Sequence, residues 1–275
     1  MKKIICFLFI FLLTIFINGC FNNSNKVTNN SINNKVVSVE DYTIYDVEDA
    51  IMIASEKASS SVVAIMESSL SSQSLGSAVV CKRVPYANDE IVSEDAANIT
   101  HYEYFAITNE HVVNGIISFQ YRVFISDRIS DPSYQTSNVT VIEKDEDLDL
   151  AIIKFKSSVY IETATIKNSN GLKKGQIVIA IGTPMSIEYF NTITQGVISH
   201  PYRYTKFDDF GGYYIQHDAS INPGNSGGGL FNVEGKLIGI NTWKLEGDET
   251  VFGMGFAIPS SVIYTKYSKY IESYE

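Results

Sequence analysis

Cysteine is scarce in this chain, with only Cys6, Cys20 and Cys81 among 275 residues. Cys6 lies inside an N-terminal apolar run and Cys20 closes it, so Cys81 alone remains for the folded part and no internal disulfide can form there. Apolar cores must therefore hold the fold, which a chain of this length can supply. No Cys/His cluster, EF-hand loop or dinucleotide fingerprint occurs, so neither a metal nor a cofactor is expected. Cationic charge is also short: 21 Lys and Arg face 31 Asp and Glu, a formal net charge of -10. Removing residues 1–19 takes away Lys2 and Lys3 and moves -10 to -12. Nucleic acid and bare anionic lipid are poor partners for such a surface.

A long hydrophobic run occurs only at the start. Lys2-Lys3 followed by Ile4–Ile17 has the charge and length of a secretory signal and is short for a spanning helix. It ends in Ile17-Asn-Gly-Cys20, which resembles the lipobox of bacterial lipoproteins, with Cys20 as the lipid-bearing first residue of the mature chain. Asn18 departs from the usual small residue. Several acyl chains on one cysteine would hold the protein firmly at a membrane surface, where one alone is marginal. The expected location is the outer face of the cytoplasmic membrane; plain secretion or a periplasmic location is the alternative. From Phe21 to about Ser38 the chain is rich in Asn, Ser and Lys without a period and reads as a flexible tether.

Val47, Ala50, Ile51, Ile53, Ala54 and Ala58 then recur at helical spacing, with Asp46 as N-cap. Val62–Met66 reads as the first strand, and alternating or apolar runs separated by Gly, Pro and Asn continue to Ala257, as expected of a β-rich double barrel. Ser77-Ala-Val-Val-Cys81 places Cys81 in a buried strand. Ser260–Tyr270 reads as a C-terminal helix after Pro259, with Val262, Ile263 and Tyr267 as its inner face.

The most informative stretch is Asp218-Ala-Ser-Ile-Asn-Pro-Gly-Asn-Ser-Gly-Gly228. A serine hydroxyl is a poor nucleophile until a base takes its proton, and the oxyanion formed on attack needs donors close by. Small residues around Ser226 let backbone NH groups crowd that point, with Gly224, Asn225 and Ser226 as the oxyanion segment and the NH groups of Gly224 and Ser226 as its donors. A surface turn is the bland alternative, since Asn, Pro, Gly and Ser are turn residues anyway. A phosphate loop would need a Lys-Ser or Lys-Thr pair, which is missing. Upstream, Phe105–Val113 puts His111 at the end of an apolar run, and Asp149 directly precedes the apolar Leu150–Ile153. Asp147 is the alternative carboxylate. His101 and His200 have no partner motif. The order His, Asp, Ser is that of the chymotrypsin class.

Thr108-Asn-Glu-His-Val-Val113, Asp149-Leu-Ala-Ile-Ile-Lys154, Ala180-Ile-Gly-Thr-Pro184, Thr194-Gln-Gly-Val-Ile-Ser199, Ile221-Asn-Pro-Gly-Asn-Ser-Gly-Gly228, Gly239-Ile-Asn241 and Gly255-Phe-Ala-Ile-Pro259 resemble, in order, the signatures of the HtrA/DegP family of trypsin-like serine proteases. The resemblance implies an all-β, chymotrypsin-like pair of six-stranded antiparallel barrels, with a short N-terminal and a C-terminal helix. It implies His111, Asp149 and Ser226 as catalytic triad in the cleft between barrels, and peptides or proteins as substrates. The implied division is a signal at 1–19, a tether at 20–45 and a protease domain at 46–275, with barrels at about 60–160 and 161–259 and a helix at about 260–271. Family members commonly carry a small polar residue where this chain has His217.

Ser220, six residues before Ser226, would lie at the base of the primary pocket, where no carboxylate is present to pair with a substrate Lys or Arg. The remaining pocket candidates, Ile221, Asn241, Thr242 and Phe256, suggest cleavage after small or medium aliphatic residues, and the family resemblance points the same way. Trp243 reads as core, with the substrate cleft as alternative. Two departures stand out: a polar insertion at Arg83–Tyr102, and an end at Glu275 that leaves no room for the PDZ domain many relatives carry. The family's trimer is left open, with Tyr42 and Tyr45 as packing candidates. A catalytically silent module that binds unfolded proteins or a partner is the alternative function, although such a module would have no chemical need for all three triad residues.

Overall fold

The computed structural model describes residues 44–68, 73–115, 120–128, 130–207, 210–242 and 253–275. The signal, Cys20, the tether up to residue 43, Tyr42 and Trp243 lie outside the described residues, while residues 44 and 45, assigned to the tether, begin a helix. Helix α1 spans Ile44–Ser59, and its first turn holds Asp46. The helix thus starts two residues before the expected cap, and Asp46 complements the dipole from inside the turn. Only its C-terminal half is buried. Ala54 and Ala58 enter the core while Val47, Met52 and Ile53 stay exposed, so the periodic apolar face is wider than the surface that receives it.

Strands β1 (Val62–Ser68) and β2 (Gln73–Ala87) form an antiparallel pair, Val62 opposite Val79 and Ser68 opposite Gln73. The first sheet is completed by β3 (Glu90–Ile91), β4 (His101–Thr108), β5 (Gln120–Phe124), β6 (Gln135–Thr136), β7 (Val139–Asp145) and β8 (Leu150–Ser157). Its path runs β6-β5-β1-β2-β4-β8-β7, with β3 on β2. Among the described residues its hydrogen-bonded path does not close, but β5 and β6 curl back against β7 and β8, so the sheet takes the barrel-like form expected. The second sheet does close: β9 (Ile177–Gly182), β10 (Thr192–Phe207), β11 (Phe210–His217), β12 (Gly229–Asn232), β13 (Leu237–Thr242) and β14 (Gly255–Pro259) form a barrel in the order β10-β11-β14-β13-β12-β9. Helix α2 follows over Ser260–Tyr267, with Ile263 and Tyr267 buried.

Continuous apolar runs in β2 and β8 follow from burial on both faces, since successive side chains of a strand point opposite ways. Ala78, Val80, Ala151 and Ile153 fill the first barrel. Val79, Cys81, Leu150 and Ile152 point outward into a second core with Ile166, Ile179, Ile181 and Ile240, and with Ala54, Ala58, Ile263 and Tyr267 of the two helices. Cys81 is wholly buried, its thiol on the carbonyls of Phe105 and Tyr270, and burial pushes its pKa up. It is packing, not a reactive thiol.

The expected insertion at 83–102 is strand at both ends, with a loop at 92–100. Residues 83–86 of β2 pair with 101–104 of β4, Arg83 opposite Tyr104 and Tyr86 opposite His101. Arg83 draws the remaining loop back: its guanidinium contacts Glu94 at 3.1 Å, donates to the Ile161 carbonyl at 2.8 Å and lies 4.2 Å over the Tyr160 ring. Nearby, the Tyr104 hydroxyl donates to the Val159 carbonyl at 2.8 Å and accepts from the Ile161 NH at 3.0 Å. Tyr104→Phe leaves both groups without their partner, and should lower the unfolding free energy in urea by about 1–3 kcal/mol.

Candidate active site

His111 sits in a short 3-10 turn, Glu110–Val112, that ends β4. Two contacts fix that turn: the Asn109 amide donates to the Asp149 carbonyl at 2.9 Å, and the buried Glu110 carboxylate meets Lys144 Nζ at 3.0 Å. His111 Nδ1 lies 2.8 Å and 3.0 Å from the two oxygens of Asp149, and the His111 backbone NH donates to the same carboxylate at 3.2 Å. Asp149 is 7% exposed and has φ +52, a left-handed conformation that turns its side chain off the start of β8. Asp147 is exposed, so the carboxylate on the imidazole is Asp149.

The second barrel reaches the same carboxylate. Thr242, at the end of β13, donates its hydroxyl to Asp149 Oδ2 at 2.8 Å. Thr242 was expected to line the pocket; its hydroxyl is instead spent on Asp149, which a reading of pocket spacing could not reveal. Asn241 is also turned inward, wholly buried with its amide on the Gly229 carbonyl at 2.8 Å. Phe256 packs edge-on against Tyr214 in the core between barrels. Ser220 is exposed and Ile221 half-buried, and the Thr194 hydroxyl holds the Ser220 carbonyl at 3.0 Å. Of the five expected pocket residues, Ser220 and Ile221 are thus the ones with surface to offer.

Ser226 is 5% exposed and lies in a loop whose carbonyls are all engaged. The carbonyl of Asn222 accepts from Asn225 NH at 2.9 Å, that of Pro223 from Met185 NH at 2.7 Å, that of Asn225 from Gly228 NH at 2.9 Å, and that of Ser226 from Ser77 NH at 2.8 Å. The Gly224 carbonyl accepts from the Ser77 hydroxyl at 2.8 Å. In a trans peptide C=O and N–H point opposite ways. With the Pro223 carbonyl turned to Met185, the Gly224 NH of the same peptide faces away from it, the orientation an oxyanion donor needs. Only glycine fits at two positions here. Gly224 has φ +100, and a Cβ on it would lie 2.2 Å from the Thr183 carbonyl oxygen; Gly227 has φ +82, and its Cβ would lie 2.1 Å from the Ser77 carbonyl oxygen.

Chemically, this is an imidazole held by a carboxylate beside a serine loop with its carbonyls tied outward. No group of three or more potential metal ligands occurs among the described residues. The model of the trypsin-like peptidase domain matches residues 91–240, more than half of the chain and inclusive of His111, Asp149 and Ser226. The chain belongs to the trypsin-like peptidase family. Within that family it is similar to "Serine protease Do-like HtrA" of Lactococcus lactis subsp. cremoris, 34% identical over 256 residues that cover 87% of this chain and 60% of that one. The protein of the same name from Lactobacillus helveticus is 42% identical over 166 residues, 58% of this chain and 38% of that one. The chain thus spans less than two thirds of these relatives. Among solved structures, "HtrA-type protease AlgW with tripeptide" superposes with a TM-score of 0.62 at 28% identity, covering 81% of this chain and 64% of that one.

One feature of this trypsin-like peptidase was not legible beforehand. His217, the last residue of β11, is wholly buried against Gly255. Burial pushes its pKa from 6.5 down to about 4, and the neighbouring Asp218, Asn241 and Ala219 carbonyl oppose this only in part. The fold therefore favours the neutral ring, and the unfolded chain takes up the proton first. Stability is complete above the unfolded value of 6.5 and is lost as pH falls toward about 4, by roughly 3 kcal/mol from this residue. Urea titrations of wild type and His217→Thr across that range should show a shallower decline in the variant, whatever its stability at neutral pH.

Proposed function

We propose that this chain is a serine endopeptidase of HtrA type, in which His111, Asp149 and Ser226 act as one catalytic unit. The observation that carries the reading is the 2.8 Å pairing of His111 Nδ1 with Asp149 beside a serine loop whose carbonyls are engaged elsewhere. With Nδ1 donating to the carboxylate, Nε2 is the nitrogen left to act as base. His111 takes the proton from the Ser226 hydroxyl as it attacks a peptide carbonyl, and returns it to the leaving amine. Asp149 holds the tautomer and stabilises the imidazolium, and Thr242 keeps Asp149 in place. The NH groups of Gly224 and Ser226 stabilise the tetrahedral oxyanion before the acyl-enzyme forms and again as water cleaves it.

The substrates we propose are unfolded or misfolded envelope proteins, cut after small or medium aliphatic residues. The absence of a carboxylate at Ser220 supports the aliphatic preference. The leader and Cys20 support a lipid anchor on the outer face of the cytoplasmic membrane. No helix among the described residues is long and apolar enough to cross a membrane. A homotrimer, as in the family resemblance, completes the proposal.

Ser226→Ala should lower turnover on the order of a millionfold. A fluorophosphonate probe should label wild type and leave Ser226→Ala unlabelled; failure of wild type to label under any condition would favour the silent binding module instead. For the anchor, Cys20→Ser should move the protein from the membrane fraction to the medium or periplasm. Retention of Cys20→Ser in the membrane fraction would exclude lipid on that cysteine.

A further inference from the structure

Outside the proposed triad, one residue directs its hydroxyl, its NH and its carbonyl toward the segments that carry Ser226 and His111. Ser77 lies in β2 of the first barrel and is wholly buried. Its hydroxyl donates to the Gly224 carbonyl at 2.8 Å and accepts from the Thr183 NH at 2.9 Å. Its NH donates to the Ser226 carbonyl at 2.8 Å, and its carbonyl accepts from the Thr108 hydroxyl at 2.7 Å. Thr108 is three residues before His111. The preceding Gly76 lies against Val112, where an added Cβ would come within 2.5 Å of a Val112 methyl, so the same step of β2 also backs the His111 turn.

The hydroxyl bond matters because of where it falls. Gly224 is flanked by two peptides. The one before it has its carbonyl on Met185 NH, and the one after it has its carbonyl on Ser77 Oγ and its NH on the Asn222 carbonyl. Glycine at φ +100 has no side chain to resist rotation of either plane. Two external hydrogen bonds therefore decide whether the Gly224 NH faces the oxyanion, and Ser77 supplies one of them. Met185 supplies the other, and Thr183, two residues before it, crowds Gly224: its carbonyl oxygen would lie 2.2 Å from a Cβ there. Through its hydroxyl, Ser77 ties that segment and Gly224 together.

We propose that Ser77 is a positioning residue of the active site, whose hydroxyl anchors the Gly224 carbonyl and so restrains the adjoining Pro223–Gly224 peptide, the plane whose NH donates to the transition-state oxyanion. It touches neither substrate nor reacting atom and acts through Gly224. The inference rests on the reading of Ser226 as nucleophile, and predicts a defect confined to the charged tetrahedral state. Ground-state peptide binding does not use the oxyanion donor fully, so it should be spared.

The test uses the full chain with Ser77→Ala and Ser77→Cys, and Ser226→Ala as the blank. A peptide with an aliphatic residue before the scissile bond gives kcat and KM; a peptide boronate, which forms an anionic tetrahedral adduct, and the corresponding product peptide give Kd. Ser77→Ala should lower kcat by about 10²-fold and weaken the boronate by a similar factor, with KM and product-peptide Kd within about threefold of wild type. Ser77→Cys, which fills the space with a weaker donor, should fall between the two. The proposal is overturned if kcat stays within about threefold of wild type, or if boronate and product peptide weaken in parallel. Should Ser77→Ala lose its cooperative melting transition, Ser77→Cys is read on the same criteria. Wild type that fails to react with fluorophosphonate at all would remove the nucleophile assignment itself, a result distinct from a reactive wild type matched by Ser77→Ala.

Discussion

Burial of the apolar layer between the two barrels is the constraint on which the site depends. Val79, Cys81, Ile107, Leu150 and Ile152 of the first sheet meet Ile179, Ile181 and Ile240 of the second, and the two helices cap the layer with Ala54, Ala58, Ile263 and Tyr267. At about 25 cal/mol per Å² of apolar surface, each such side chain contributes roughly 1.5–3 kcal/mol on leaving water. His111 and Asp149 belong to the first barrel and Ser226 to the second, so that layer is what brings the three residues to one cleft. The C-terminal segment adds to it: Ile166, in the connector between the barrels, donates to the Ser273 carbonyl at 3.0 Å, and Glu272 donates to that of Cys81 at 2.9 Å.

Upon this frame the polar contacts across the cleft set angles. Thr242 reaches from β13 to Asp149, and Ser77 reaches from β2 to Gly224 and Ser226. Both are buried hydroxyls bonded to groups of the opposite barrel. A buried bond of this kind adds modestly to net stability, but leaving either partner unmade costs the full desolvation of that group. The pairs therefore act more as register pins than as glue. Hydrogen bonds constrain distance and angle, whereas apolar burial is non-directional, so these pairs fix the register that the apolar layer leaves free.

The glycines of the nucleophile loop show why its sequence is so plain. Five consecutive carbonyls, from Asn222 to Ser226, accept hydrogen bonds from the protein, and to reach them the chain passes through φ values of +100 and +82 at Gly224 and Gly227. A Cβ at either would overlap a backbone carbonyl. Small residues were readable in advance as a sign that NH groups crowd Ser226. The partners that organise the loop were not readable, because Ser77 and Met185 are 149 and 41 residues away from Ser226 in the chain, and nothing local marks them as its partners.

Local pattern alone determined the β-rich class, the two helices, the placement of His111 at a strand end and of Asp149 at a strand start, and the glycine-rich turn at Ser226. These features are encoded by neighbours in sequence, through period, propensity and turn chemistry. Tertiary structure decided that α1 buries only its last turns, that residues 83–86 and 101–104 extend a hairpin instead of looping, that β5 and β6 curl back against β7 and β8, and that Thr242 faces Asp149. It also decided that His217 is sealed from water. Each of these depends on what lies across a barrel or between the two, and a contact between residues a hundred positions apart leaves no period in the chain from which to read it.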